Sequence, residues 1–235
     1  MKISGLQKMT LLDYPGKVAC TIFLGGCNFR CPFCHNSELL GQDASQFITE
    51  AELFSFLQKR QGLLEAVCIS GGEPTLQPEL PAFIQKIKEL GYFVKLDTNG
   101  YRPEVLRQLL HSGMLDYVAM DVKNDEKHYP LTCGLSSINM ESIEESLSLL
   151  LKGETTYELR TTVVEQLHNA DSFKSIIAML QRLSPEHKCK KYFLQPFVDR
   201  DTVLYSNFTA PTAKQLFEYK KILEHGAETV EIRGL

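Results

Sequence analysis

Gly25-Gly26-Cys27-Asn28-Phe29-Arg30-Cys31-Pro32-Phe33-Cys34-His35-Asn36 gathers three of the chain's seven cysteines on one tight loop. The C-x3-C-x2-C spacing offers three thiolates with no obvious fourth ligand beside them. A [4Fe–4S] cube has four irons and normally takes one cysteine thiolate on each. Three thiolates leave one iron open, and an open coordination position is what substrate-binding metal chemistry needs. The competing chemistry of close-spaced cysteines is structural zinc, which prefers four ligands in paired C-x2–4-C units. Here His35 sits too near Cys34 to swing round easily, and no second pair follows. The spacing therefore suits the cube better than zinc.

The other four cysteines are scattered. Cys20 and Cys68 lie in apolar strand-like runs, where a free cysteine acts as a small buried hydrophobe. Cys133 and Cys189 fall in polar surroundings, and their separation suggests no second cluster, although a fourth ligand among the four stays open. An odd cysteine count with one tight cluster points to a metal site in a reducing compartment, not to a disulfide framework. At 235 residues the chain is expected to form a single domain over 1–235, with the cluster loop at 25–36 and a C-terminal extension from about 199 to 235. A net charge of −4 gives no reason to expect a nucleic-acid partner. The apolar runs are too short to cross a bilayer, and Met1-Lys2-Ile3-Ser4-Gly5 lacks the apolar core of a secretion signal. A cytoplasmic protein without a membrane partner is expected.

Strand-like runs alternate with helical patterns for nearly the whole length. Val18 to Leu24 reads as a buried first strand, after a turn at Asp13-Tyr14-Pro15-Gly16. Thr49-Glu50-Ala51-Glu52 is a capping box that opens a helix through Leu53 and Leu57. Ala66 to Ser70 forms the second strand and runs into Gly71-Gly72-Glu73-Pro74. A helix through Leu80, Phe83, Ile84, Ile87 and Leu90 stops at Gly91. Strands at Phe93–Leu96, Tyr117–Met120, Glu158–Val164 and Tyr192–Gln195 follow, separated by helices, with a short strand-like tail at Thr229–Ile232. The segment Asn124 to Asn139 is the best candidate for a loop covering a site. Such alternation implies an α/β fold with a parallel sheet and helices packed outside. From pattern alone, a partial barrel of six βα units and a doubly wound open sheet both fit. Either architecture places functional groups at the C-terminal ends of strands, where the polar motifs fall.

The cysteine loop and Gly71-Gly72-Glu73-Pro74 together resemble the signatures of the radical S-adenosylmethionine (radical SAM) enzymes. The resemblance implies a partial (β/α)6 TIM-type barrel. It also implies a [4Fe–4S] cluster on Cys27, Cys31 and Cys34, whose open iron binds the amino and carboxylate groups of SAM. In that family the reduced cube cleaves SAM to a 5′-deoxyadenosyl radical. Phe33 then flanks the adenine, and the backbone of Cys34 and His35 lies close to the nucleobase. Gly71, Gly72 and Glu73 correspond to the motif that binds the methionine amino group, with Gly72 nearest; Glu73 could serve only to fix the turn. Alone, GGEP would be an ordinary turn.

Asp97-Thr98-Asn99 and Asp121-Val122-Lys123 close two strands and resemble the corresponding strand ends of the pyruvate formate-lyase activating enzyme. The likeness implies SAM contacts, and a monovalent cation held near Asp97 and Asp121. A plainer role, strand-end aspartates capping the next helix, stays open. Arg160 corresponds to an arginine set against the SAM carboxylate, which implies that it points inwards. Gln195 stands where the relative carries an adenine-contacting histidine, and departs from that pattern.

The lead-in Ser4-Gly5-Leu6-Gln7-Lys8-Met9-Thr10-Leu11-Leu12-Asp13-Tyr14-Pro15-Gly16-Lys17 resembles the longer form of the anaerobic ribonucleoside-triphosphate reductase activating proteins. This implies an activase that makes a glycyl radical on a partner enzyme, with a reduced flavodoxin or ferredoxin as electron donor. The alternatives are activation of a pyruvate formate-lyase-type enzyme, or a small-molecule radical SAM reaction like that of the carboxydeazaguanine synthases. A non-enzymatic iron–sulfur electron carrier is the third.

Overall fold

The computed structural model describes residues 1–41, 47–153 and 155–234. Residues 42–46, 154 and 235 of the expected domain and tail lie outside the described residues. The chain divides into two compact units: Met1–Asn28, Glu38–Thr98 and Glu104–Val118 form the first, and Phe29–Ser37, Asn99–Pro103 and Ala119–Leu235 the second.

In the first unit β1 (Ile3–Thr10) pairs antiparallel with β2 (Ala19–Leu24). Helix α1 (Glu50–Lys59) follows, then β3 (Ala66–Gly71), α2 (Leu80–Glu89), β4 (Phe93–Thr98) and α3 (Pro103–His111). Strand β3 lies parallel to both β2 and β4. Ala19, Cys20, Ile22 and Leu24 of β2, and Ala66 to Ile69 of β3, are fully buried, as the unbroken apolar runs require of strands covered on both faces. Thr49 caps α1 as expected: its hydroxyl accepts from Glu52 N–H at 3.2 Å, and the Glu52 carboxylate accepts from Thr49 N–H at 2.8 Å. Leu80, Phe83, Ile84 and Ile87 form the buried stripe of α2.

Strand β1 was not expected. Only its two ends, Ile3 and Thr10, are buried, so it carries little apolar signal and owes its place to the ladder with β2. The turn expected at Asp13–Gly16 joins these two strands. Lys17 N–H donates to Tyr14 O, and the Asp13 carboxylate accepts from Thr21 Oγ1. Tyr14 itself is buried against Tyr117, with ring centroids 5.7 Å apart.

Strand β5 (Tyr117–Asp121) begins in the first unit and ends in the second. The second unit continues with α4 (Tyr129–Cys133), α5 (Met140–Lys152), β6 (Thr156–Val163), α6 (Ala170–Leu183), β7 (Cys189–Pro196), α7 (Ala213–Leu223) and β8 (Ala227–Ile232). Strands β6, β7 and β8 are parallel neighbours.

Several sequence expectations change here. The six main strands are β2 to β7, and the tail is a full strand, β8, paired with β7. The expected C-terminal extension thus continues the sheet, and Tyr219 of α7 stacks on Phe173 of α6 at 4.6 Å. The segment 124–139 is not an open loop: it contains α4 and buries Asn124, Tyr129, Thr132 and Cys133 completely. Cys133 and Cys189 are buried as well, 0% and 1% exposed. Cys20 and Cys68 are buried as expected.

Candidate active site

In the first unit the lead-in to the cysteine loop and the glycine motif are fitted backbone to backbone. Gly72 N–H donates to Leu24 O, and Glu73 N–H donates to Gly26 O, both at 2.8 Å. Gly71 has φ +122°, and a Cβ there would stand 2.3 Å from Leu24 N and O. At Gly72 a Cβ would stand 2.1 Å from Gly26 O. The glycines are thus demanded by the approach of the chain's own backbone just before Cys27. Glu73, 1% exposed, accepts from Thr75 N–H at 3.1 Å and from the hydroxyls of Thr75 and Thr98. Its carboxylate fixes the turn at Pro74 and ties it to the end of β4.

Asp97 stands one residue before the end of β4. Lys95 Nζ lies 2.6 Å from its Oδ1, and Ser70 Oγ donates to Oδ2 at 3.2 Å. Sequence reasoning passed over Lys95, which is only 2% exposed. The signal was its position two residues before Asp97, which puts both side chains on one face of a strand.

The second unit holds the other motifs. Cys31 and Cys34 are joined by a turn, Cys34 N–H donating to Cys31 O at 3.1 Å. Cys31 is buried, and its thiol is drawn down to about 7. The first cause is a hydrogen bond from the Cys133 side chain, which outweighs burial, and the Lys123 charge adds to it. Burial pushes the Cys34 thiol up. Phe33 is buried. His35 stacks on Phe197 at 5.6 Å, and its Nε2 lies 2.7 Å from Val198 O. Burial lowers its pKa. Thr202 Oγ1 donates to His35 O at 2.7 Å, so residues 197–202 strap down the end of the cysteine loop.

Asp121, at the end of β5, receives Arg160 Nε and Lys123 Nζ, each at 2.9 Å. Burial alone would raise its pKa, but the Arg160 and Lys123 charges hold it well below the usual carboxylate range. Lys123 is correspondingly held above its usual value: burial works against its charge, and Asp121 together with its other neighbours outweighs that. Arg160 is turned inwards, its side chain 13% exposed, with Glu158 4.0 Å from its other end. Glu158 is fully buried and accepts a two-pronged contact from Arg233 at 2.7 and 2.8 Å. This network, unlike Arg160 itself, was missed in the sequence. The charge that a monovalent cation was expected to bring is met at Asp97 by Lys95, and at Asp121 by Lys123 and Arg160.

Val122 is buried and bonds β6 through its backbone, its N–H to Arg160 O at 2.8 Å. Asn99 is buried and its side chain accepts from Tyr101 N–H at 3.0 Å, an Asx turn. Gln195 is half-buried and stands opposite Thr162 in the β6–β7 register.

The donor set fits an iron–sulfur group. None of the seven cysteines is paired in a disulfide. Soft thiolates are the usual cluster ligands, and neighbours already favour the thiolate of Cys31. Among the described residues no three His, Cys, Asp or Glu side chains stand together as a ready cage for a metal ion. The thiolates of a cube surround it, each on its own iron, and so need not meet at a single point as the ligands of one ion do.

Residues 21–188 match the family model of the radical SAM superfamily. A Methanocaldococcus jannaschii protein named as a glycyl-radical enzyme activating enzyme is 32% identical over 239 residues, covering 99% of this chain and 96% of its own. The pyruvate formate-lyase-activating enzyme of Clostridium pasteurianum is 32% identical over 57% of each chain. Among solved structures, a domain of the pyruvate-formate lyase-activating enzyme from Bacteroides vulgatus superposes with a TM-score of 0.57 at 21% identity. That likeness covers 72% of this chain and 99% of the other. The protein belongs to the glycyl-radical enzyme activating family of the radical SAM superfamily. It is a radical SAM enzyme whose family cofactors are a [4Fe–4S] cluster and SAM, and the α/β fold expected from the strand–helix alternation is borne out.

Proposed function

We propose that the protein activates a glycyl-radical enzyme, most closely an anaerobic ribonucleoside-triphosphate reductase. The observation that carries the reading is the full-length likeness to a glycyl-radical enzyme activating enzyme, in a chain that keeps all three cysteines of the loop. The lead-in Ser4–Lys17 favours the reductase over a pyruvate formate-lyase-type partner or a small molecule. Cys27, Cys31 and Cys34 would hold the cluster. When bound, the cluster and SAM supply a one-electron reductive cleavage that ends in removal of a hydrogen atom from a glycine Cα of the partner.

The chain's own part is binding and orientation. Gly71, Gly72 and Glu73 form the turn that would receive the amino group of SAM. Asp97, Thr98 and Asn99 present a carboxylate, a hydroxyl and an amide suited to its ribose. Asp121, Val122, Lys123 and Arg160 supply paired charges for an amino-acid zwitterion. Phe33, Cys34 and His35 would lie along the adenine, with Gln195 in the place of a histidine. No side chain is required as general acid or base. A flavodoxin or ferredoxin delivers the electron, and free buried thiols suit the reducing cytoplasm. No helix among the described residues is long and apolar enough to cross a membrane.

The test is anaerobic reconstitution with iron, sulfide, SAM and reductant, followed by incubation with an anaerobic ribonucleotide reductase or a formate-lyase-type enzyme. A glycyl-radical EPR signal on the reductase alone is expected. A signal only on the lyase moves the assignment to the alternative partner. Deoxyadenosine formation with no radical on either protein would point to a small-molecule substrate.

A further inference from the structure

Nothing in the function above uses His168. It lies in the turn between β6 and α6, is buried, and stacks its ring on Phe173 of α6 with centroids 6.0 Å apart. Its Nε2 stands 2.8 Å from Lys123 O, and its Nδ1 stands 3.1 Å from Val164 N. A carbonyl oxygen only accepts, so the ring proton belongs on Nε2, which donates to Lys123 O. Nδ1 is then the acceptor for Val164 N–H, and burial favours this neutral ring by lowering its pKa. The opposite tautomer would bond Val164 O, 3.2 Å from Nδ1, and leave Nε2 facing a carbonyl with nothing to donate. A second bond joins the same two stretches, Asn124 Nδ2 donating to Leu167 O at 2.8 Å. Residues 123 and 124 are therefore fastened to residues 168 and 167, just beyond the end of β5 at Asp121.

We propose that His168 is a positioning residue for the strand-end pair Asp121 and Lys123, acting through the Lys123 peptide. The inference rests on the reading of that pair as SAM contacts. Val122 is still tied to β6, by its N–H to Arg160 O and by its carbonyl, which accepts from Thr161 Oγ1 at 2.7 Å. Lys123 is the first residue past these bonds, and its Nζ turns back to Asp121 at 2.9 Å. A carbonyl fixed by His168 sets where the Lys123 side chain starts, and so where its ammonium meets the carboxylate. The Lys123 and Asp121 side chains keep 15% and 29% of their surface accessible, enough to meet a ligand, while the ring that holds their backbone is buried. Without the donor the Lys123 peptide can rotate, and a displacement of about 1 Å is enough to weaken a site built on placement.

The test compares wild type with His168→Gln, whose amide nitrogen reaches the place of Nε2, and His168→Asn, which reaches only the place of Nδ1. All three are reconstituted anaerobically and compared by iron content, circular dichroism and SAM affinity from equilibrium dialysis. Equal iron is expected, with SAM affinity within about threefold of wild type for the glutamine and about tenfold weaker for the asparagine. Equal affinities in all three overturn the proposal, and so does an equal loss in both variants, which would make ring packing the cause. An asparagine variant that loses stability while its loaded fraction binds SAM normally assigns His168 to folding alone and overturns it too. Nitrogen-15 NMR of the cluster-free wild type reads the ring without any substitution. The neutral Nε2–H tautomer is expected, and the Nδ1–H tautomer overturns the proposal. Should the asparagine variant not fold, the glutamine variant and the tautomer decide: retained affinity with Nε2–H supports the role, and a tenfold loss or Nδ1–H overturns it. Cluster-loaded wild type that binds no SAM refutes the reading of the site itself, and this inference falls with it.

Discussion

Gly71 and Gly72 stand side by side against Leu24 and Gly26, yet a methyl group would cost different amounts at each. At Gly72 the problem is space alone, a Cβ 2.1 Å from a backbone oxygen. Overpacking of that kind costs about 1–3 kcal/mol. At Gly71 the same crowding is joined by φ +122°, a conformation that adds about 1–3 kcal/mol for any other residue. Urea unfolding of the reduced, cluster-free chain should therefore rank Gly71→Ala as more damaging than Gly72→Ala. Equal losses would show that the backbone relaxes at both. Glu73 allows a second measurement. Glu73→Ala strips the acceptor from the buried hydroxyls of Thr75 and Thr98, at a cost of about 2–3 kcal/mol. In a double-mutant cycle with Thr98→Val the two losses should fall short of additive, because the valine removes the stranded hydroxyl. Strict additivity would mean that the Glu73–Thr98 contact stabilises nothing.

Helix α1 was legible in the sequence because its start is written in local chemistry. Thr49 and Glu52 satisfy each other's neighbouring N–H groups, so Thr49→Ala should cost about 1 kcal/mol, read as a lowered urea midpoint with an unchanged slope. A larger loss accompanied by a changed slope would mean that more than the cap is disturbed. The unbroken apolar runs of β2 and β3 were legible for a similar reason, Ala19 to Ile22 and Ala66 to Ile69 all being buried. Strand β1 was not, since pairing with β2 places it while the middle of the strand stays accessible. The segment 124–139 misled in the opposite direction. Its polar residues read as a surface loop, but Asn124 and Thr132 are buried because they bond each other, and such pairing has no periodic signature. Cys133 was hidden in the same stretch. The site motifs were legible as strand-end residues, whereas their partners Lys95, Cys133 and Glu158 become meaningful only once folding supplies the opposite charge or sulfur.

On the scale of the whole chain, acid should find its weak point in the charges that tie β5, β6 and the tail of the second unit together. Lys123 and Arg160 converge on Asp121, while Arg233, beyond β8, grips Glu158 on the same strand as Arg160. The Asp121 side chain is 29% accessible, against 15% for Lys123 and 13% for Arg160, so its pairing is only partly screened by water. Its carboxyl is held below the usual range in the folded chain, whereas in the unfolded chain it titrates near its ordinary value of about 3.9. The unfolded state therefore binds the proton first as pH falls. The stabilisation is complete above about pH 5 and is lost progressively as acid carries the pH below the unfolded value towards the folded one. Asp121→Asn leaves two cations facing a neutral amide. At pH 7 it should cost about 1–3 kcal/mol, less than the loss from a fully dry pair because water reaches the carboxylate. The variant should also show a shallower decline in stability between about pH 5 and pH 2 than the wild type, measured by urea unfolding of the cluster-free chain so that acid release of iron does not enter. Parallel pH profiles in the two proteins would mean that the carboxylates responsible for acid sensitivity lie elsewhere, and that Lys123 and Arg160 draw their stability from contacts other than Asp121.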